Sequence, residues 1–351
     1  MKKQVCVIFG GMSSEYEVSL STAYSVISNL DREKYDCRML GITKDGRWYL
    51  YDGEPSALPD GSWCGDIAHL TAAYIAPTRG INAIVCENGK KLPIDVIFPA
   101  IHGEYAEDGS LQGLLELSGI PFVGSGCKAS AAAMDKATTK AIVSLTDVAQ
   151  ARCIVIRKGD NYGSILSEVR EKLGFPVFVK PSSAGSSVGV SKVMTADGLV
   201  PALEKAALTD TKIIIEEYIR GREVEIAVMG NENAVTSVCG EIDPGAEFYD
   251  YKAKYQSDCA SYYIPARIGD GLSAQIKKNA LTVYSALGCK GLSRVDFFVT
   301  DDGRAIFNEI NTLPGFTSIS MYPKLFMAGG MSYPEIIDRL IALACEGDRT
   351  L

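Results

Sequence analysis

Several common signatures are missing from this 351-residue sequence. Its ten cysteines, scattered from Cys6 to Cys345, include no pair at C-x-x-C spacing, which excludes the usual cysteine-ligated metal site. A disulfide framework fits a chain this long poorly, and several cysteines stand in apolar runs, as small buried hydrophobes do. No long basic run offsets the net charge of -8, so nucleic acid and an anionic membrane surface are not expected partners. No span of about 18 apolar residues is available to cross a membrane. The opening MKKQVCVIFGG has too short an apolar core for a secretory leader and reads as a first strand; the expected compartment is the cytoplasm. Neither G-x-G-x-x-G nor G-x-x-x-x-G-K-[ST] occurs, which removes the dinucleotide fingerprint and the Walker A loop. Histidine is scarce, with two residues.

What is present reads as an ordinary globular chain, long enough for two or three domains. Gln4 to Phe9 is a β-branched run that ends in Gly10-Gly11 and leads into a helical pattern from Val18 to Leu30. Strand, glycine turn and helix are an α/β opening. Further strands are expected at Lys34–Ile42, Ile94–Ala100 and Pro121–Gly124, with a helix at Leu111–Leu117. Residues 1–124 are therefore expected to form an α/β domain with a parallel sheet, binding ligand at the loops around Glu15 and His102. Residues 125–217 read as an α+β unit: a helical stretch with Met134-Asp135-Lys136, strands at Phe175–Lys180 and Val190–Val193, a helix at Leu199–Ala207, and an edge-like strand at Lys212–Glu217. Residues 218–351 read as a third unit. Its strands are expected at Val224–Met229 and Ala234–Gly240, and its helices at Leu272–Leu287 and Tyr333–Cys345. A polar, tyrosine-rich loop lies within about 241–262.

The most informative stretch runs from Arg294 to Gly315. Arg294 and Asp296 stand two apart on one apolar run, and Glu309 and Asn311 two apart on the next. Side chains two apart on a strand share a face, and Asp302-Gly303 is a hairpin turn signal between the runs. If the runs pair, Asp296, Glu309 and Asn311 converge as oxygen ligands beside a guanidinium. Such a set suits Mg²⁺, which takes a few carboxylates plus substrate phosphates; a solvated hairpin is the alternative. The loop Ser182–Gly189 after Lys180 has the small residues that let backbone N–H groups approach an anion, or that make a plain turn. Glu216, at a strand exit followed by Glu217, Tyr218 and Ile219, could accept from an amino group on a base, and Glu223 from ribose hydroxyls; exposed glutamates are the default. Glu15 could meet a substrate ammonium or compensate a helix dipole. His102, at a strand end before Gly103, is a substrate-contact candidate.

These pieces resemble the D-alanine–D-alanine ligases of the ATP-grasp superfamily. Eight patterns occur in the family's order: FGGMSSEYEVS, IHGEYAEDGSLQG, GSGCKASAAAMDK, FVKPSSAGSSVG, IIIEEYIRGREVE, EFYDYKAKY, LSRVDFF and FNEINTLPGFTSISMYP. The resemblance implies an ATP-grasp fold behind an N-terminal Rossmann-like domain. It implies ATP and two Mg²⁺ ions, with Mn²⁺ as a substitute, and a cytoplasmic homodimer making peptidoglycan precursor. By resemblance, Lys136, Lys180 and Lys254 face the ATP phosphates. Glu216, Glu217 and Ile219 surround adenine, Glu223 meets ribose, and Asp296, Glu309 and Asn311 hold the metals. Arg294 and the Gly315 backbone stabilise an oxyanion. Glu15, Ser186 and Tyr255 form a hydrogen-bonded triad at the first amino acid. Ser320 and Met321 read the second. Ala106 departs from the family's glycine before Glu-Asp-Gly. The presence of Tyr255 argues against the related D-alanine–D-lactate ligases, and apolar Met321 favours D-alanine over D-serine as second substrate. FGGMSSEYEVS and ITKDGRWY are close to the vancomycin-resistance D-alanine–D-serine branch, the alternative.

Overall fold

The run Val5–Phe9 is wholly buried, as a strand with neighbours on both sides and both faces covered must be. In the computed structural model, which describes residues 1–243, 261–317 and 319–346, it lies within β1 (Lys3–Gly10). There follow α1 (Tyr16–Asn29), β2 (Tyr35–Ile42), β3 (Trp48–Tyr51), β4 (Leu70–Ile75), β5 (Ala83–Cys86), β6 (Lys91–Pro93), β7 (Val96–Pro99) and α2 (Ser110–Ser118). The sheet order is β6-β5-β4-β3-β2-β1-β7. Only the β2-β1-β7 part is parallel; β3 to β6 extend it by antiparallel pairing. The expected parallel sheet is thus the core of a mixed one. Its extension comes from short strands between turns, too brief to show a period in the sequence. The strand expected at Pro121–Gly124 is reduced to one bridge, Phe122 to Ile97.

The second sheet is built from β8 (Cys153–Arg157), β9 (Val177–Pro181), β10 (Ser191–Val193) and β11 (Lys212–Glu217), in the order β10-β9-β11-β8. It is preceded by α3 (Cys127–Met134) and α4 (Lys136–Val143). Helices α5 (Tyr162–Lys172) and α6 (Leu199–Ala206) supply Ile165, Val169, Leu199 and Leu203 to its core. Strand β11 pairs on both sides, with β8 and β9, so it is interior rather than the edge strand expected. The run Ile213–Ile215, fully buried, is the residue pattern of an interior strand.

The third sheet holds β12 (Arg222–Gly230), β13 (Val235–Asp243), β14 (Ser261–Tyr263), β15 (Gly291–Val299) and β16 (Ala305–Asn311), ordered β14-β13-β12-β15-β16. Helix α7 (Asp270–Ala286) packs Ile276, Ala280 and Val283 against it. Helices α8 (Met321–Ala328) and α9 (Tyr333–Cys345) join a core that also contains Val5, Val7, Leu20 and Ala23. The C-terminal helices therefore close the core of the first sheet. No described helix is long and apolar enough to cross a membrane.

One buried serine fixes the mouth of the first sheet. The Gly10 N–H donates to Ser19 Oγ at 2.7 Å, and Ser19 Oγ–H donates to the Ala100 carbonyl at 2.6 Å. Helix α1 thereby ties the ends of β1 and β7 together. Ser19→Ala leaves both backbone groups buried and unpaired, at roughly 1–3 kcal/mol for each such group. Denaturant unfolding should show that loss as a lower midpoint at unchanged slope; an unshifted midpoint would remove the staple from this account.

Candidate functional site

A cleft of about 610 Å³ is lined by residues of all three sheets and their loops. Its floor is the hairpin of β15 and β16. Arg294 is paired with Asn311 and Asp296 with Glu309, directly across the ladder. All four side chains line the cleft. Arg294 is held against Asp296 by two hydrogen bonds, Nε to Oδ1 at 2.8 Å and Nη2 to Oδ2 at 2.7 Å. Asn311 Oδ1 accepts from the Leu313 N–H at 2.9 Å, starting the turn that carries Gly315 to the cleft.

The opposite wall is cationic. Lys180, on β9, lies 2.5 Å from Glu216 of β11, whose other oxygen lies 2.7 Å from Lys140 of α4. Burial alone would push the Glu216 carboxyl up, but Lys180 and Lys140 override it and bring it down to about 2. Lys136 lies 3.6 Å from Glu309 and donates to the Ala184 carbonyl at 2.8 Å. Its helix α4 starts correctly because Asp135 caps it, accepting from the N–H groups of Ala137 and Thr138. Asp135 also binds Ser182 Oγ at 2.5 Å and pairs with Lys212. Burial opposes its charge, yet Lys212 and Ser182 hold it at about 2. Helix α4 is thus fastened to the start of the Ser182–Gly189 loop.

That loop crosses to the first unit. Ser186 and Ser187 have φ of +49° and +59°, a left-handed conformation that non-glycine residues rarely adopt. It brings Ser186 Oγ to Glu15 Oε1 at 2.7 Å. Gly103 sits beneath, at φ +77°, where an added Cβ would meet Ser13 at 2.9 Å and Glu15 at 3.0 Å. Glu217, Ile219, Glu223, Ser320 and Met321 also line the cleft. Glu217 is bound by Arg152 at 2.6 Å. Ser320 Oγ accepts from the Thr317 N–H at 3.0 Å.

His102 does not line the cleft. It is buried behind it, with Nε2 2.9 Å from Thr22 Oγ1 and Nδ1 3.1 Å from the Leu313 carbonyl and 3.3 Å from Glu107. Burial disfavours the imidazolium, but Glu107 and Glu15 raise its pKa above the ordinary value; Glu107 itself faces the cleft. Lys254 and Tyr255, like most of the expected loop at 241–262, lie outside the described residues. The segment's ends are described: β13 and β14 pair Glu241 with Tyr263 and Asp243 with Ser261.

Two matches with known proteins cover nearly all of this architecture. Residues 4–125 match the D-ala D-ala ligase N-terminus and residues 142–342 the D-ala D-ala ligase C-terminus. The chain belongs to the D-alanine–D-alanine ligase family. It is 48% identical to the D-alanine–D-alanine ligase of Acetivibrio thermocellus, over 98% of this chain and 96% of that one. It is 43% identical to D-alanine–D-alanine ligase A of Escherichia coli, with the same coverage. Among solved structures, VanG D-Ala:D-Ser ligase from Enterococcus faecalis superposes with a TM-score of 0.92 at 39% identity, covering 98% of this chain and all of that one. The D-alanine–D-alanine ligase from Coxiella burnetii gives 0.87 at 32%, covering 99% and 96%.

Three residues that line or support the cleft, Lys140, Glu225 and Asp135, do not stand out in the sequence. Lys140 stands one helical turn after Lys136, a spacing that puts both on one side of α4. Glu225 stands two after Glu223 and so shares its face of β12. Asp135 precedes a helix, as capping residues do. Each signal was present but weak without the neighbouring strands.

The low values of Glu216 and Asp135 set an acid limit. A carboxylate whose folded pKa lies below its unfolded one stabilises the fold above the unfolded value and loses that contribution as pH falls through the folded one. Unfolding free energy should therefore drop between about pH 4.5 and pH 2. Glu216→Gln should make that drop shallower; identical slopes for both proteins would mean that Glu216 is not held ionised.

Proposed function

We propose that this chain is an ATP-dependent D-alanine–D-alanine ligase, supplying the dipeptide for peptidoglycan precursor. The observation that carries the reading is the pairing of Arg294, Asp296, Glu309 and Asn311 into adjoining cross-strand pairs opposite Lys136 and Lys180, in a chain of this family.

The donor set fits a hard cation. Asp296, Glu309 and Asn311 offer only oxygen, and among the described residues no group of three His, Cys, Asp or Glu residues could hold a metal unaided. A carboxylate pair with an amide oxygen suits Mg²⁺ that takes its other ligands from substrate phosphates, and bound Mg²⁺ would neutralise phosphate charge; Asp296 would share its oxygens with Arg294. Mn²⁺ fits the same oxygens.

The residues divide the remaining work. Lys136 and Lys180 hold the ATP phosphates, with Lys254 as a further lysine for the γ-phosphate. Glu216, Glu217, Ile219 and Glu223 hold adenine and ribose. The buried pairs of Glu216 with Lys140 and Lys180 keep the lysine head near the phosphates ordered before they arrive. Glu15 receives the ammonium of the first D-alanine, and its bond to Ser186 lays the serine loop over that substrate, with Tyr255 as the third member. The carboxylate of the first D-alanine attacks the γ-phosphorus, ADP leaves, and an acyl phosphate results. The amine of the second D-alanine attacks its carbonyl carbon. Arg294 and the Gly315 N–H receive the negative charge on the carbonyl oxygen, and phosphate departs. His102, bonded to the Leu313 carbonyl, supports the turn leading to Gly315 rather than touching substrate.

Ser320 and Met321 face the second substrate. The buried Met321 thioether suits a methyl group. The likeness to VanG D-Ala:D-Ser ligase favours D-serine as a second reading. An apolar pocket rejects an added hydroxyl by only about 10²-fold.

Glu309→Gln should lower turnover by about two orders of magnitude or more with the circular dichroism spectrum unchanged; near-parental turnover would contradict the metal assignment. With ATP, Mg²⁺, D-alanine and D-serine supplied together, D-alanyl-D-alanine should dominate the products. A majority of D-alanyl-D-serine would move the chain to the second reading, and the absence of ADP would remove both.

A further inference from the structure

Glu225 has no role in the scheme above, yet it stands in the same row as the proposed cation ligands. Strand β12 pairs Glu225 directly with Asp296, and β15 pairs Asp296 with Glu309. Three carboxylates therefore lie abreast on three neighbouring strands. The adjoining row is Ala227, Arg294 and Asn311. Glu225 is thus the diagonal neighbour of Arg294, within reach of a long side chain, and the small side chain of Ala227 leaves the guanidinium room to turn toward it.

It does turn. Arg294 Nε lies 3.0 Å from Glu225 Oε2 as well as 2.8 Å from Asp296 Oδ1, while Nη2 lies 2.7 Å from Asp296 Oδ2. Glu225 is 7% exposed, so water screens this pair little. The 2.8 Å and 2.7 Å hydrogen bonds both go to Asp296; Glu225 adds a second negative charge from another strand beside the same nitrogen, which draws the guanidinium toward one position. That second charge matters because Asp296 has two duties in the proposed reaction. A cation beside Asp296 draws on the same oxygens and repels the guanidinium. Glu225 faces Arg294 from the end of that row away from Glu309.

We propose that Glu225 is a positioning residue for Arg294, keeping its guanidinium in place in the cleft when Asp296 is shared with a cation. The catalytic consequence rests on the ligase reading; the structural one rests on the ion-pair geometry alone.

The two are tested separately. The Nε–H resonance of Arg294, assigned by its loss in Arg294→Lys, is followed by ¹⁵N–¹H NMR in the full chain, with and without Mg²⁺ and ADP. In Glu225→Gln its exchange with water should speed up about tenfold or more, most with Mg²⁺ present. In steady-state assays Glu225→Gln should lose roughly 10–100-fold in kcat, with the KM for ATP within about threefold of the parent. Glu225→Asp, which keeps the charge on a shorter stem, should recover part of both effects. Unchanged exchange in a folded Glu225→Gln protein would overturn the positioning role whatever the activity; a kcat within about twofold of the parent would overturn its catalytic consequence. A parent that forms no dipeptide would sink the ligase reading, while the resonance would still decide whether Glu225 positions Arg294.

Discussion

A one-residue slip between β15 and β16 governs the whole site. On the site side of the slip Asp296 pairs with Glu309; beyond it Phe297 pairs with Phe307, so Asn308 has no partner across the ladder. Regular pairing would set Phe297 opposite Asn308 and put the two rings out of step. The bulge lets both demands be met. Phe297 and Phe307 pack edge to face in the core, with ring centroids 6.0 Å apart, and two carboxylates stand opposite each other in the cleft. The apolar pair thereby sets the register in which the polar pair appears. Burial of aromatic surface, the stronger and less specific force, holds in place a charge pattern that would not assemble by itself.

Charge in the cleft follows a single rule: each buried ion is matched before any ligand arrives. Lys140 and Lys180 share Glu216, Lys136 approaches Glu309, and Asp296 and Glu225 share Arg294. Isolated, each of these charges would be very costly to bury. Paired, they contribute little net stability but fix side-chain positions. A polyanionic substrate entering such a site meets cations already oriented, and the reorganisation that water would have to undergo has been completed by folding.

Much of this was legible from residue order. The i, i+2 spacing of Arg294 with Asp296 and of Glu309 with Asn311 gave the shared face, and Asp302-Gly303 gave the turn. The strand, glycine pair and helix at the start were equally plain, as was the final helix. The sequence did not reveal the bulge at Asn308, because a slip of one residue depends on which rings meet across the ladder. It did not show that β11 is interior, since an isoleucine run reads the same with one neighbour or two. The strands between Trp48 and Pro93 were too short for a period to emerge. Lys140 and Glu225 were readable only as surface charges, because their partners are brought to them by other strands and helices.

The core under the first sheet mixes residues from both ends of the chain. Val5 and Val7 share it with Ile336, Ile337 and Leu340, and Lys34 pairs with Asp338 across the outside of the same junction. On a ribosome, then, the opening sheet emerges early with one face of its helix uncovered, and that face stays open until about three hundred further residues have been made. The N-terminal unit cannot mature on its own schedule. Its completion coincides with that of the last helices, because its core is shared with them.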